Sequence, residues 1–205
     1  MKDVMVDLET LGTKPGSVIL SIGAVAFDET GLGEQFYRVI SISSSLQAGL
    51  KEDADTKLWW SKQAPEARTV LDQATDLRIA VPLVVALTEF AQWLGSVAPL
   101  KDIKVWGNGS DFDNMMLAAA YDAVQMSLPW RFYNNRCYRT LKNLLPAITF
   151  ERSGVHHNAL DDAMTQAAYA VVLFGAIERG KALDAKHNPW PLKPIEGKSQ
   201  NSNLG

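Results

Sequence analysis

Three short stretches of the chain hold side chains able to bind cations or move protons. Asp7 and Glu9 stand two apart in VMVDLET, Asp111 and Asp113 flank Phe112 in GNGSDFDN, and HHNALDDA packs His156, His157, Asp161 and Asp162 together. In an extended strand, side chains at i and i+2 share a face, so Asp7 and Glu9 would lie side by side. Two neighbouring carboxylates on an apolar strand repel, and burial costs on the order of several kcal/mol each unless something neutralises them. A divalent cation with a taste for hard oxygen ligands, magnesium or manganese, is the obvious neutraliser. Each stretch alone also has a plainer reading. Asp7 and Glu9 could lie past the strand end, in water. Asp111 or Asp113 could cap the helix that follows, and Asp161 and Asp162 could complement a helix dipole. Either histidine has an aspartate five positions on, His156 with Asp161 and His157 with Asp162, and the stretch by itself leaves both pairs open.

These groups must be carried by regular elements. KDVMVDL reads as a first strand, SVILSIGAVAFD as a second, and EQFYRVI as a third, with turn signals at 12–16 and at Gly31 and Gly33. Short turns between them predict an antiparallel meander. DADTKLWWSKQ and PEARTVLDQA read as helices, the second opened by Pro65 at its first position. LVVALTEFAQWLGS carries Leu83, Leu87, Phe90 and Leu94 on one helical stripe, ended by Gly95. IKVWGN is a short buried strand, a helix starts at Asp113, and TLKNLLP is a short helix stopped by Pro146. A long helix runs from Asn158 to about Gly180, with Leu160, Met164, Ala167, Val171 and Phe174 on one stripe. A meander followed by strands alternating with helices indicates an α/β fold with a mixed sheet. The order of strands is not readable from pattern.

Composition sets the outer limits. The chain has 205 residues, 47% hydrophobic and 21% charged, which suits one domain over 1–187 with an extended tail at 188–205 rich in Pro, Gly, Ser and Asn. The net charge of −3 does not announce a nucleic-acid partner, although a local basic patch could serve one. The one cysteine, Cys137, excludes an intrachain disulfide and is compatible with a reducing compartment. With no long apolar stretch, no membrane association is expected and a cytoplasmic location is the default.

The order of the three motifs resembles that of the DEDDh 3′–5′ exonucleases: D-x-E in the first strand, F-D after a central strand, and H-x4-D at the start of the last long helix. The resemblance covers residues 2 to about 175. It implies a ribonuclease H-like fold, with a mixed five-stranded sheet flanked by helices. It also orders the ambiguous residues. The family's last motif often reads His-x-Ala-x-x-Asp-Ala, which selects His157 and Asp162; its aspartate after an aromatic residue selects Asp113 after Phe112. The activity implied by the resemblance is that of a metal-dependent exonuclease. Asp7, Glu9, Asp113 and Asp162 would hold two Mg2+ or Mn2+ ions, and His157 would act as general base. The substrate would be a single strand or a 3′ overhang, DNA favoured over RNA by the W-G-N-G before the F-D motif. A homodimer is an open expectation, and a non-catalytic nucleic-acid binder or a trans-acting proofreading subunit are the rival readings.

Residues near the motifs are candidates for holding the strand. Thr10 and Leu11 come directly after the D-x-E, with Leu11 either a wedge against the last base or ordinary core. Of Trp59 and Trp60, adjacent on a helix and so about 100° apart, at most one faces a ligand. Asn108 could touch substrate or make a turn, and Phe112 sits inside the F-D motif. WRFYNNRCYRTLK interleaves Arg131, Arg136, Arg139 and Lys142 with aromatic residues, the composition of a single-strand binding surface and equally of a solvated face. His187 has no nameable partner.

Overall fold

The computed structural model describes residues 1–187 apart from Ser110 and Ser153, with side chains described through residue 180; the expected tail from residue 188 lies outside the described residues. Alternation along β1 (Asp3–Thr10) sorts its side chains onto two faces. Val4, Val6 and Leu8 enter one core and Met5 the other. By the same period, Asp7 and Glu9 share the face of Met5. β2 (Ile19–Asp28) pairs antiparallel with β1, and β3 (Gly31–Val39) antiparallel with β2. β4 (Lys104–Gly107) lies parallel to β1, and β5 (Asn135–Cys137) parallel to β4. The result is a mixed five-stranded sheet in the order β3-β2-β1-β4-β5, the ribonuclease H-like arrangement.

Seven α-helices are described, with one 3-10 turn at Phe132–Asn134: α1 (Ile42–Gln47), α2 (Ala54–Trp60), α3 (Pro65–Thr75), α4 (Leu83–Val97), α5 (Asp113–Ala123), α6 (Tyr138–Leu144) and α7 (Ala159–His187). On one face of the sheet, Val70 of α3, Leu87 and Phe90 of α4 and Leu117 of α5 close over Val4, Val6, Leu8, Ile22 and Ala24. On the other, Tyr138 and Leu141 of α6 and Ala163, Ala167, Ala170 and Leu173 of α7 cover Met5, Val25, Phe27 and Trp106. Each fully buried Leu or Phe of this kind contributes about 1.5–3 kcal/mol. No helix among the described residues is long and apolar enough to cross a membrane.

Several boundaries differ from the sequence expectation, for local reasons. Gly31 and Gly33 lie inside β3, because Asp28 Oδ1 accepts from Thr30 N and Thr30 Oγ1 and closes the hairpin one step earlier. α4 runs on through Gly95 to Val97. α1 and β5 have no period long enough to announce them. The largest difference is in α7. Of its expected stripe only Ala167 is fully buried; Leu160, Met164, Val171 and Phe174 are half-buried. The buried line is Ala159, Ala163, Ala167, Ala170 and Leu173. Small side chains let this helix lie close to the sheet, and that line carries Asp162 and Gln166 inward with it.

Candidate active site

β1 and β4 are parallel, so their C-terminal ends share one edge of the sheet, the usual place for a ligand crevice in open α/β sheets. β1 ends with Asp7, Glu9 and Thr10, and β4 ends at Gly107, from which the chain loops into α5. Asp113 is not a cap. It is the first residue of α5, 2% exposed, and its Oδ2 accepts from the Asn108 backbone N–H at 2.9 Å. Gly107 gives it room: a Cβ there would stand 2.6 Å from Asn114 Oδ1 and 2.9 Å from Asp113 Oδ2. Asn114 pins the start of α5 by donating to Val105 O (3.0 Å) and Asn135 Oδ1 (3.1 Å). Asp111 stays exposed.

α7 brings the third motif from the other strand neighbour. Asp7 faces Gly23 across the β1–β2 ladder, and a Cβ on Gly23 would collide with the Ala159 backbone. The first turn of α7 therefore rests on β2 beside Asp7. Asn158 caps it, its Oδ1 accepting from Leu160 N and Asp161 N. The two aspartates separate from there. Asp161 Oδ2 accepts from Val155 N at 2.7 Å and holds the preceding loop. Asp162 turns inward, 7% exposed. Ligand atoms of Glu9, His157 and Asp162 all fall within 4.8 Å of one another.

Two residues of this site are absent from the sequence expectation. Gln166, one turn beyond Asp162, donates from Nε2 to Asp7 Oδ1 at 2.7 Å. Its signal is the i+4 spacing from Asp162 on the alanine-rich face. Arg152 pairs with Asp162 and also donates to Val155 O. No sequence signal distinguishes it from any other loop arginine.

The electrostatics suit a cation. Burial pushes the Asp7 carboxyl well above its usual range, and the neighbouring Asp113 and Glu9 charges add to that. Burial, then the Asp113 charge, pushes Glu9 up to about 8. Asp113 rises to about 7 through burial, against the opposing pull of backbone N–H groups. Nearby arginines offset only part of this cost, and a set of carboxylate oxygens with one imidazole fits a hard divalent ion. Arg152 is the cation that lowers Asp7 and Glu9 in this state.

His157 sits in the left-handed region at φ 61°, which few non-glycine residues adopt. Its ring meets Trp59 edge-on at 4.9 Å between centroids and His156 at 3.9 Å. Desolvation, then His156 and Arg152, lower its pKa, so the imidazole is neutral near pH 7 and able to accept a proton.

Beside the acids opens a cleft of about 590 Å3, lined by Glu9, Thr10, Lys14, Trp59, Trp60 and Phe112 among others. Trp60 is 1% exposed, its Nε1 donating to Thr10 O at 2.9 Å, while Trp59 is 42% exposed beside His157. Thr10 spends its hydroxyl on Gly12 O. Leu11 corrects the wedge expectation: it is 1% exposed within the main core and is not part of the cleft wall, because its backbone is bonded between Val18 and Asp53. Asn108 and Arg139 are not among the residues lining this cleft; they pair beside Asp113, Arg139 donating to Asn108 O at 2.5 Å.

Fold and motifs together define a DEDDh 3′–5′ exonuclease, a hydrolase of nucleic acid. The chain belongs to the Rv2179c-like family of 3′–5′ exoribonuclease domains, whose model matches residues 2–174. An exodeoxyribonuclease of Enterobacteria phage T4 is 23% identical over 163 residues, 68% of this chain and 70% of the phage protein. Among solved structures, the nuclease domain of 3′hExo, a DEDDh family member bound to rAMP, is similar with a TM-score of 0.58 at 13% identity, covering 85% of this chain and 92% of that one. Exonuclease I from Methylocaldum szegediense gives a TM-score of 0.57 at 16% identity, covering 89% of this chain and 42% of that one. At these identities the two structures speak to the fold.

Proposed function

We propose that the protein removes nucleotides one at a time from the 3′ end of a single strand, releasing nucleoside 5′-monophosphates, with Asp7, Glu9, Asp113 and Asp162 holding two divalent cations, Mg2+ or Mn2+. The observation that carries this reading is the meeting of Glu9, His157 and Asp162 from opposite ends of the chain within 4.8 Å. Cations held there would supply an acidified water and charge neutralisation at the scissile phosphate. The chain's own groups do the rest. His157, neutral and braced by Trp59, takes the proton of the attacking water. Gln166 fixes Asp7, and Gly107 with Asn108 fixes Asp113, so these carboxylates are aimed before substrate arrives. The cleft between Glu9 and Trp59 takes the terminal nucleotide, with Trp59 offering an exposed ring for stacking.

The sugar preference moves from the DNA lean of the sequence toward RNA, supported by the exoribonuclease description of a family that spans residues 2–174. DNA is the second reading, favoured by the exodeoxyribonuclease of phage T4. Matched RNA and DNA strands labelled at either end, digested with and without Mg2+, test both. A 3′ label released first as a 5′-monophosphate, faster from RNA and only with metal, is the expected result. Label released first from the 5′ end, or metal-independent release, refutes the mechanism; faster loss from DNA selects the second reading.

A further inference from the structure

The longest acid-free segment near the site is not explained by catalysis. Between Asp122 and Glu151 the sequence has no Asp or Glu, yet it carries Arg131, Arg136, Arg139 and Lys142 in a chain of formal charge −3. At its centre, Phe132 is 77% and Tyr133 58% exposed. Their rings meet edge-on at 5.5 Å, and the Arg131 guanidinium stands 5.8 Å from the centre of the Tyr133 ring.

These rings are not exposed for want of order. Trp130, 3% exposed, anchors the segment and donates from Nε1 to Asn135 Oδ1 at 2.8 Å. Arg136 donates to Tyr133 O and Asn135 O, and Asn134 to Lys101 O. The turn is thus fixed on its inner side and presents two adjacent large aromatic rings mostly to water. Guanidinium groups interleaved with aromatic faces attract a phosphate backbone and stack its bases without reading sequence.

The turn precedes β5 at the end of the sheet away from the acids, and β5 links it to the active-site edge. β5 leads away from the turn, alongside β4, with Cys137 opposite Gly107. Arg139 then contacts Asn108, whose N–H is bonded to Asp113. The turn lies about 10 Å from that edge of the sheet, at ~3.3 Å per residue along β5. We propose that Arg131, Phe132, Tyr133, Arg136 and Arg139 form a track that holds the substrate strand on the 5′ side of the nucleotide being removed. The proposal rests on the exonuclease reading above and adds to it a length preference: strands long enough to reach Tyr133 bind better than those that fill only the cleft.

The experiment compares KM and kcat for an RNA trinucleotide and a single strand of about 20 nucleotides, using the full chain with Mg2+, for wild type and for Phe132→Ala/Tyr133→Ala; base–aromatic stacking worth ~1–3 kcal/mol per base sets the expected scale. Wild type should show the lower KM on the long strand. The double variant, altered only at exposed rings, should raise that KM roughly ten-fold or more, with kcat held and the trinucleotide little affected. Equal KM values for both lengths in wild type, or an unchanged long-strand KM in the variant, overturn the track. So does a wild-type dimer, seen by sedimentation, that the double substitution dissociates, because the surface would then belong to a second copy. Failure of wild type to cleave either length, whether made of RNA or of DNA, removes the exonuclease reading itself.

Discussion

Gly23 faces Asp7 across the β1–β2 ladder, and the backbone of Ala159 occupies the space that a side chain at residue 23 would need. A glycine in one strand thus decides where a helix starts and where Asp162, three residues further on, is aimed. Gly23→Ala should lift the first turn of α7 away from Asp7. Overpacking of this kind costs about 1–3 kcal/mol of stability, and a misplacement of ~1 Å at the reacting groups lowers activity by on the order of 100-fold. Thermal unfolding and nuclease assay check the two effects together. Wild-type activity in Gly23→Ala would mean that α7 need not touch β2 there.

The acid cluster also ties stability to pH. Asp7 is raised by burial, Glu9 to about 8 from 4.5 and Asp113 to about 7 from 3.8. In the metal-free protein the folded chain therefore holds protons that the unfolded chain has released. The stability these groups contribute is complete below their unfolded pKa values and is lost as pH rises through about 7 and about 8. Metal-free protein should melt at a lower temperature at pH 8.5 than at pH 6, by this contribution, and Mg2+ should restore most of the loss. A melting temperature that is equal at both pH values and indifferent to Mg2+ would contradict a buried, unneutralised cluster.

Arg152 competes for the same negative charge. It pairs with Asp162 across a partly exposed boundary, Arg152 36% and Asp162 9% exposed by side chain. A cation bound by Asp162 would compete with it. With one end of the pair in water and the other nearly buried, its worth is on the order of 1 kcal/mol, so Arg152→Met should bind Mn2+ roughly five-fold more tightly in a calorimetric titration without substrate. Weaker binding would show that Arg152 supports the metal site.

How much of the fold and site is legible in sequence depends on the length over which each signal is written. The Leu83, Leu87, Phe90 and Leu94 stripe repeats over a whole helix and lies fully buried. The three acidic motifs are visible as residue types, but their meeting is a product of strand order, and β4 lying beside β1 is a long-range pairing with no local trace. β5 is three residues long and owes its place to Val105, Trp106 and Gly107, not to its own pattern. In α7 the larger residues Met164, Val171 and Phe174 flank the core, packed half-buried against it, and do not form its centre. The helix instead buries its alanines, since only small side chains permit contact with Gly23. The alanine line, unlike the stripe of larger residues, places Asp162 and Gln166 inward and Asp161 outward. Leu11 shows the reverse limit: its neighbours in sequence line the cleft, while its own side chain fills the core.

The proposed metal centre shared by Asp7, Glu9, Asp113 and Asp162 is tested most directly by Mn2+ titration of the full chain, monitored by electron paramagnetic resonance, for wild type, Asp162→Asn, Glu9→Gln and Asp161→Asn. Wild type should bind with saturable stoichiometry, Asp162→Asn and Glu9→Gln should each weaken binding at least about ten-fold, the loss of one charged ligand from a small set, and Asp161→Asn should stay close to wild type. No saturable binding by wild type, or a loss in Asp161→Asn as large as that in Asp162→Asn, would contradict it.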